Sequence, residues 1–80
     1  MENKIAVVAL IVRDLSSVER INSILHDFGE YIIGRMGLPY KQRQINVICA
    51  VIDAPQTVIS ALSGKLGMIE GVSSKVLTAK

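Results

Sequence analysis

Two runs of apolar residues dominate the sequence, residues 5–12 and residues 45–52. Both are rich in β-branched side chains, and polar or charged residues bound them on either side. Short apolar runs of this kind are typical of strands that are buried on both faces. The pattern therefore predicts two central strands of a sheet.

A helical pattern follows each of these runs. Ser16 with Glu19, and Asp53 with Gln56, have the spacing of a capping box, so we expect two helices to begin at these pairs. Beyond each pair, apolar residues recur three or four positions apart, which places them on one face of a helix. These residues are Val18, Ile21, Ile24, Leu25 and Phe28 in the first segment and Val58, Ile59, Leu62 and Leu66 in the second.

Two weaker segments complete the pattern. Residues 30–36 alternate weakly and contain Gly34, which is typical of a strand near a sheet edge or of a bulge. The segment Gly37-Leu38-Pro39 is expected to end that strand, and the polar residues 41–44 predict a hairpin tip. Residues 71–78 predict a last, more polar strand.

The predicted order is β-α-β-β-α-β within one domain, residues 1–80. Right-handed crossovers in this order give an α+β, ferredoxin-like sandwich, in which a four-stranded antiparallel sheet carries both helices on one face. The first and third strands then lie in the centre of the sheet.

This architecture leaves one face of the sheet without a cover. The two central strands are apolar at both alternating sets of positions, whereas an antiparallel sheet normally has one polar face. Large bare apolar patches are rare on monomers, so we expect a homo-oligomer, either a dimer or a tetramer. The alternative is a monomer whose tail and hairpin loop fold over that face. Because the sequence does not tell which set is covered, the candidate interface residues come from both: Val7, Val8, Leu10, Val47, Ile48 and Cys49.

Charge and cysteine content narrow the setting. The 80 residues carry a net charge of +2 with dispersed basic residues, which predicts no direct nucleic-acid binding and no membrane footprint. The apolar run of residues 5–12 is also too short to span a bilayer, which takes about 20 residues. Cys49 is the single cysteine and cannot form an internal disulfide, so we expect a cytoplasmic protein.

Few residues are suited to catalysis or metal binding. His26 is the only histidine, and no Ser/His/acid or Cys/His grouping occurs at a suggestive spacing, so we expect no enzyme and no cofactor. His26 and Cys49 cannot fill the roughly four positions of a zinc-type site in one chain, and no metal is predicted.

A polar turn follows the first central strand and is the candidate ligand site. Free N–H groups at a helix start can receive an anion, although ordinary helix capping explains the serines equally well. The turn consists of Arg13, Asp14, Ser16 and Ser17.

Three segments resemble one known family. Residues 25–30 (LHDFGE), 33–39 (IGRMGLP) and 61–67 (ALSGKLG), with Gly71 and Val72 beyond them, are similar to the small regulators associated with iron-only hydrogenase systems. The resemblance covers nearly the whole chain. The motif residues that it singles out have no role to transfer: His26, Arg35, Gly64, Lys65 and Gly67.

The resemblance implies a regulatory role in an anaerobic bacterium, an oligomer, and a small ligand at the subunit interfaces. The family is similar in fold to the ACT domain and to the C-terminal domain of the nickel-responsive regulator. The turn at residues 14–17 lacks the glycine of amino-acid-binding ACT domains, and His26 with Cys49 falls short of a nickel site. No DNA-binding segment is present, so a transcriptional role would require another regulatory protein.

The leading hypothesis is therefore an oligomeric regulatory module that responds to a small molecule. The alternative is a constitutive protein-interaction or scaffold domain without a ligand, and an enzyme ranks third.

Within the second helix, Gly64 predicts close packing or an early helix end, because glycine in a helix interior costs about 1 kcal/mol relative to alanine.

Overall fold

Four strands and two helices follow one another in the order β-α-β-β-α-β, as predicted. The computed structural model describes residues 2–79. The strands are β1 (Asn3–Val12), β2 (Ile32–Tyr40), β3 (Ile45–Pro55) and β4 (Val72–Thr78), and the helices are α1 (Val18–Asp27) and α2 (Gln56–Gly67). Single 3₁₀ turns lie at Leu15–Ser17, Gly29–Tyr31 and Lys41–Arg43.

The four strands form one antiparallel sheet in the order β2-β3-β1-β4. The two apolar runs are the central strands, and they pair along their length, with Val8 opposite Ala50 and Leu10 opposite Ile48. This order confirms the predicted ferredoxin-like α+β fold.

The hydrophobic core lies between the sheet and the helices. The even-numbered residues of β1 and β3 face the helices, because successive side chains of a strand point to opposite faces. All of them except Lys4 and Asn46 are almost completely buried. Among residues 2–79, no polar or charged residue is buried. The core consists of Ala6, Val8, Leu10, Val12, Ile48, Ala50, Ile52 and Ala54 from the strands, with Ile21, Leu25, Ile59, Leu62, Leu66 and Ile69 from the rest of the chain.

This arrangement corrects half of the predicted interface. Val8, Leu10 and Ile48 are at most 4% exposed and pack under the helices, so they are core residues and cannot meet another chain across the sheet. The other candidates, Val7, Val47 and Cys49, alternate with them along the same strands and point to the opposite face.

The strand β2 is longer than predicted. It begins at Ile32, has a bulge between Ile32 and Gly34, and continues through Gly37 and Pro39 to Tyr40. Pro39 is tolerated because β2 is an edge strand, where a missing N–H leaves no neighbouring strand without a partner. The predicted break at residues 37–39 was therefore wrong, whereas the hairpin tip lies where expected and turns through Gln44 at φ 55°.

Neither helix begins with the predicted capping box. Ser16 donates its backbone N–H to Asp14, a 3₁₀ turn follows, and α1 begins only at Val18. β3 continues past Asp53 to Pro55, so that α2 starts at the next residue without a side-chain cap. The two stripes of apolar helical residues, in contrast, are confirmed as the faces that pack on the sheet.

Two glycines have opposite surroundings. Gly71 has φ +80°, and a Cβ there would lie 2.5 Å from the Cβ of Asp14. Gly64 lies inside α2, where a Cβ would meet nothing within 4 Å. The prediction that Gly64 marks close packing or a helix end was therefore wrong, and the position where glycine is required is Gly71.

Alanine substitutions at these glycines should change stability in opposite directions. Gly71→Ala should lower the free energy of unfolding by about 2 kcal/mol or more, because of the positive φ and the contact with Asp14. Gly64→Ala should raise it by about 0.5–1 kcal/mol, because alanine favours the helix. Chemical denaturation of both variants measures the two effects, and destabilisation by Gly64→Ala would contradict the open space found around that residue.

Candidate functional site

The face of the sheet opposite the helices is the largest apolar feature outside the core. We refer to it as the open sheet face. Its exposed large side chains range from Ile5 at 43% to Leu77 at 74%, and neither the hairpin tip nor the chain up to Ala79 covers them. Its residues are Ile5, Val7, Ala9 and Ile11 on β1, Ile45, Val47, Cys49 and Val51 on β3, Met36, Leu38 and Tyr40 on β2, and Ser73, Lys75 and Leu77 on β4.

Within residues 2–79, the charged groups of this face lie around its margin. Lys75 is on the edge strand β4, opposite Ala9, and Asp53 lies at one end of β3, opposite Ile5. Arg13 follows the other end of β1 and donates from Nη1 to the Ser73 hydroxyl at 2.7 Å. The two central strands therefore present a neutral apolar surface between these charges.

The predicted polar turn is held together by hydrogen bonds within the chain. Asp14 Oδ1 accepts from the Ser16 hydroxyl at 2.6 Å and from the Ser16 backbone N–H at 3.0 Å. Ser17 donates its hydroxyl to the Glu70 carbonyl at 3.1 Å, which ties the turn to the loop before β4. The structure thus brings the four predicted residues together, but it gives their polar groups internal partners, and ligand binding there stays a prediction.

These hydrogen bonds shift the titration of Asp14. The Ser16 hydroxyl, followed by the Ser16 backbone N–H, stabilises the carboxylate and lowers the pKa of Asp14 below its ordinary value. The turn is therefore strongest when Asp14 is ionised.

The motif residues without a known role are spread over the surface. His26 is exposed near the end of α1, and Gly64, Lys65 and Gly67 are exposed on α2. Cys49 is a half-buried free thiol on the open sheet face. Within residues 2–79, no group of three or more His, Cys, Asp or Glu side chains is placed to hold a metal ion.

Two motif residues line cavities, Gly64 between α2 and β4 and Arg35 beside α1, and Arg35 is the one with a charge. Its Nη2 donates to Asn22 Oδ1 of α1 at 2.6 Å, across a groove of about 200 Å³ between α1 and the edge of the sheet. Asn46 of β3 lines the same groove. Sequence reasoning missed Asn22 and Asn46, since no local spacing connects residues that come from three separate elements.

A second cavity, of about 360 Å³, lies between α2 and β4. Its polar groups are neutral, and two of them bond to each other, with Gln56 Nε2 donating to the Ser60 hydroxyl at 3.1 Å.

In residues 2–79 there is no helix with the length and apolar character that crossing a membrane requires.

Comparison with known proteins agrees with this fold and identifies the family. The profile of the family described as "TM1266-like: Iron-only hydrogenase system regulator, putative" matches residues 4–76. The chain belongs to this family. Its fold is also that of a solved family structure, "uncharacterized protein TM1266 from Thermotoga maritima", with a TM-score of 0.93 and 32% sequence identity.

The match to that structure extends over almost the whole of both chains. It covers 99% of this chain and 100% of the Thermotoga maritima chain, so the family likeness includes every element described above. No curated protein matches the sequence significantly. The family is described as one of regulators, which agrees with the expected class of function.

The polar turn should make stability depend on pH in the acid range. Because the pKa of Asp14 is lowered in the folded chain, its contribution is complete above the unfolded carboxyl pKa, about 4, and is lost as the pH falls through the lower folded value. The difference in Tm between wild type and Asp14→Ala should therefore shrink on acidification.

Thermal unfolding measured from neutral pH down into the acid range provides the test. Asp27→Ala is the control, because it removes an exposed carboxylate on α1, away from both the polar turn and the open sheet face. A difference between wild type and Asp14→Ala that stays constant as the pH falls would show that the hydrogen bonds to Asp14 do not stabilise the fold.

Proposed function

We propose that the protein is a non-enzymatic regulatory module of an iron-only hydrogenase system that works as a homo-oligomer. The open sheet face is the surface through which two copies assemble, and a small molecule modulates the assembly. The observation that carries the proposal is the neutral apolar centre of this face. Membership of a family described as regulators supports the regulatory role. A cytoplasmic setting is part of the proposal, because the single cysteine gives no internal disulfide.

The size of the face suits a stable contact. Four strands about 4.8 Å apart, each of about nine residues rising about 3.3 Å, give a planar area of roughly 570 Å². Two such faces bury about 1,100 Å², and the relief of the side chains adds to this figure. The sum reaches the lower end of specific interfaces, which bury about 1,200–2,000 Å².

The chemistry of the face favours a second copy of the same chain. A two-fold contact brings identical patches together, so a patch of one charge sign would repel itself. The apolar centre of β1 and β3 avoids this repulsion, and Lys75 lies on an edge strand where it can remain in water. The apolar centre of the face also offers little to a nucleic acid, whose phosphates bind to basic groups.

A charge placed on the open sheet face should therefore separate the copies. Met36 is 53% exposed on this face, and Met68 is 87% exposed outside the sheet, so Met36→Lys and Met68→Lys are the same substitution at two sites. Met36→Lys should weaken self-association at least tenfold, because it desolvates one ammonium group per chain at the interface. Met68→Lys should leave self-association unchanged.

Sedimentation of the three proteins at micromolar concentration measures this effect. Wild-type protein that sediments only as a species of 8.7 kDa would overturn the proposed assembly. An equal loss of association in both variants would show that net charge, and not the open sheet face, governs it.

The single thiol reports on the same surface without any substitution. Cys49 is opposite Ala9, in the centre of the open sheet face, so assembly should shield it from a thiol reagent. The rate of its reaction should fall as the protein concentration rises, and Met36→Lys should abolish this dependence while Met68→Lys keeps it. Oligomeric protein whose thiol reacts at the same rate at every concentration would mean that the copies meet through another surface.

A further inference from the structure

The groove beside Arg35 lies on the helix side of the sheet, at the edge formed by β2. Arg35 is opposite Ala50, and Gly37 is opposite the core residue Ile48, so both face the same side as α1. A Cβ on Gly37 would meet nothing within 4 Å. The groove is therefore open beside Gly37, because glycine has no side chain that could fill it.

The polar groups of the groove are mainly hydrogen-bond donors. Arg35 is a permanent cation with five N–H donors, and the one hydrogen bond described for it goes to the neutral Asn22 amide. Since Asn22 accepts that bond through its oxygen, its amide nitrogen retains two donors. Asn46, half-buried on the same side of the sheet, adds a second amide.

This combination fits a carboxylate. A carboxylate accepts hydrogen bonds at both oxygens, and a guanidinium meets it in two-pronged geometry. The groove holds one cationic side chain, which balances the single charge of a carboxylate better than the double charge of a phosphate. The Asn22 contact also holds the guanidinium beside the groove.

The remaining walls suit a ligand with a small apolar body. Val18, Pro39 and Ile48 line the groove beside the polar groups. A volume of about 200 Å³ has room for roughly six or seven non-hydrogen atoms, if each needs about the 30 Å³ of one water molecule.

We propose that this groove binds a small aliphatic monocarboxylate, with Arg35 and the two asparagine amides at the carboxylate and the apolar walls around the chain. Leu38 lines the groove and also belongs to the open sheet face, so the ligand lies next to the proposed interface. Only the regulatory consequence rests on the proposed function, because every residue of the groove belongs to one chain.

The test is a titration of ¹⁵N-labelled protein with butyrate, which has about the required size, followed by NMR. Butyramide is the neutral control of the same shape, and inorganic phosphate tests for a general anion site. Butyrate should give saturable shifts of the Asn22, Gly37 and Asn46 amide signals in the millimolar range. Butyramide and phosphate should need at least tenfold higher concentrations.

Three variants separate the contributions to binding. Arg35→Gln should raise the butyrate concentration at half-saturation at least tenfold, whereas Arg43→Gln at the exposed hairpin tip should not change it. Gly37→Val fills the groove but keeps the charge, and it should abolish the saturable shifts. The amide spectrum of each variant shows directly that it is folded.

Several results would overturn the proposal. These are shifts that do not saturate, butyrate binding that survives Arg35→Gln, or tighter binding of phosphate than of butyrate. The titration is repeated with Met36→Lys, so that the outcome for the groove does not depend on assembly. Saturable binding to a monomeric variant supports the groove even if the proposed oligomer fails.

Discussion

The structure depends on an imbalance between two apolar sheet faces and two helices that cover only one of them. β1 and β3 bury their even-numbered residues under α1 and α2, and this layer supplies the whole core of the sheet. The odd-numbered residues are equally apolar but have no helix above them. Burial of apolar surface is the main driving force of folding, and here half of the available sheet surface remains unused by a single chain. The proposed assembly follows from this imbalance.

The polar turn has a structural task that its sequence did not reveal. Hydrogen bonds from Arg13 to Ser73 and from Ser17 to Glu70 fasten the end of β1 to the beginning of β4. Gly71 permits this fastening, since only a residue without a side chain can approach Asp14 so closely at a positive φ. The side-chain hydrogen bonds of Arg13, Asp14 and Ser17 thus all go to the chain itself. The groove at Arg35 differs because its guanidinium and two asparagine amides line the same cavity.

Predictions from the sequence were correct where the burial of apolar side chains outweighs other interactions. The apolar runs and the helical stripes predicted the two central strands and both helices, because burial decides both. The capping pairs failed because Asp14 competes for Ser16, and because β3 continues to Pro55. The sequence did not show which face of the sheet the helices cover, since the odd-numbered and even-numbered positions of β1 are similarly apolar. The Arg35 groove unites residues 22, 35 and 46, which only the folded chain brings together.

The two edge strands determine how far such a molecule can grow. β2 carries a bulge and Pro39, while β4 carries Lys75. Bulges, proline and lysine all hinder the addition of a further strand along a sheet edge. The addition of further chains along the sheet edges is thereby disfavoured. Stacking through the open sheet face would end with two layers, because each chain has one such face. The irregular edges thus disfavour open-ended fibre formation by a very apolar small protein, and they leave the proposed assembly a finite one.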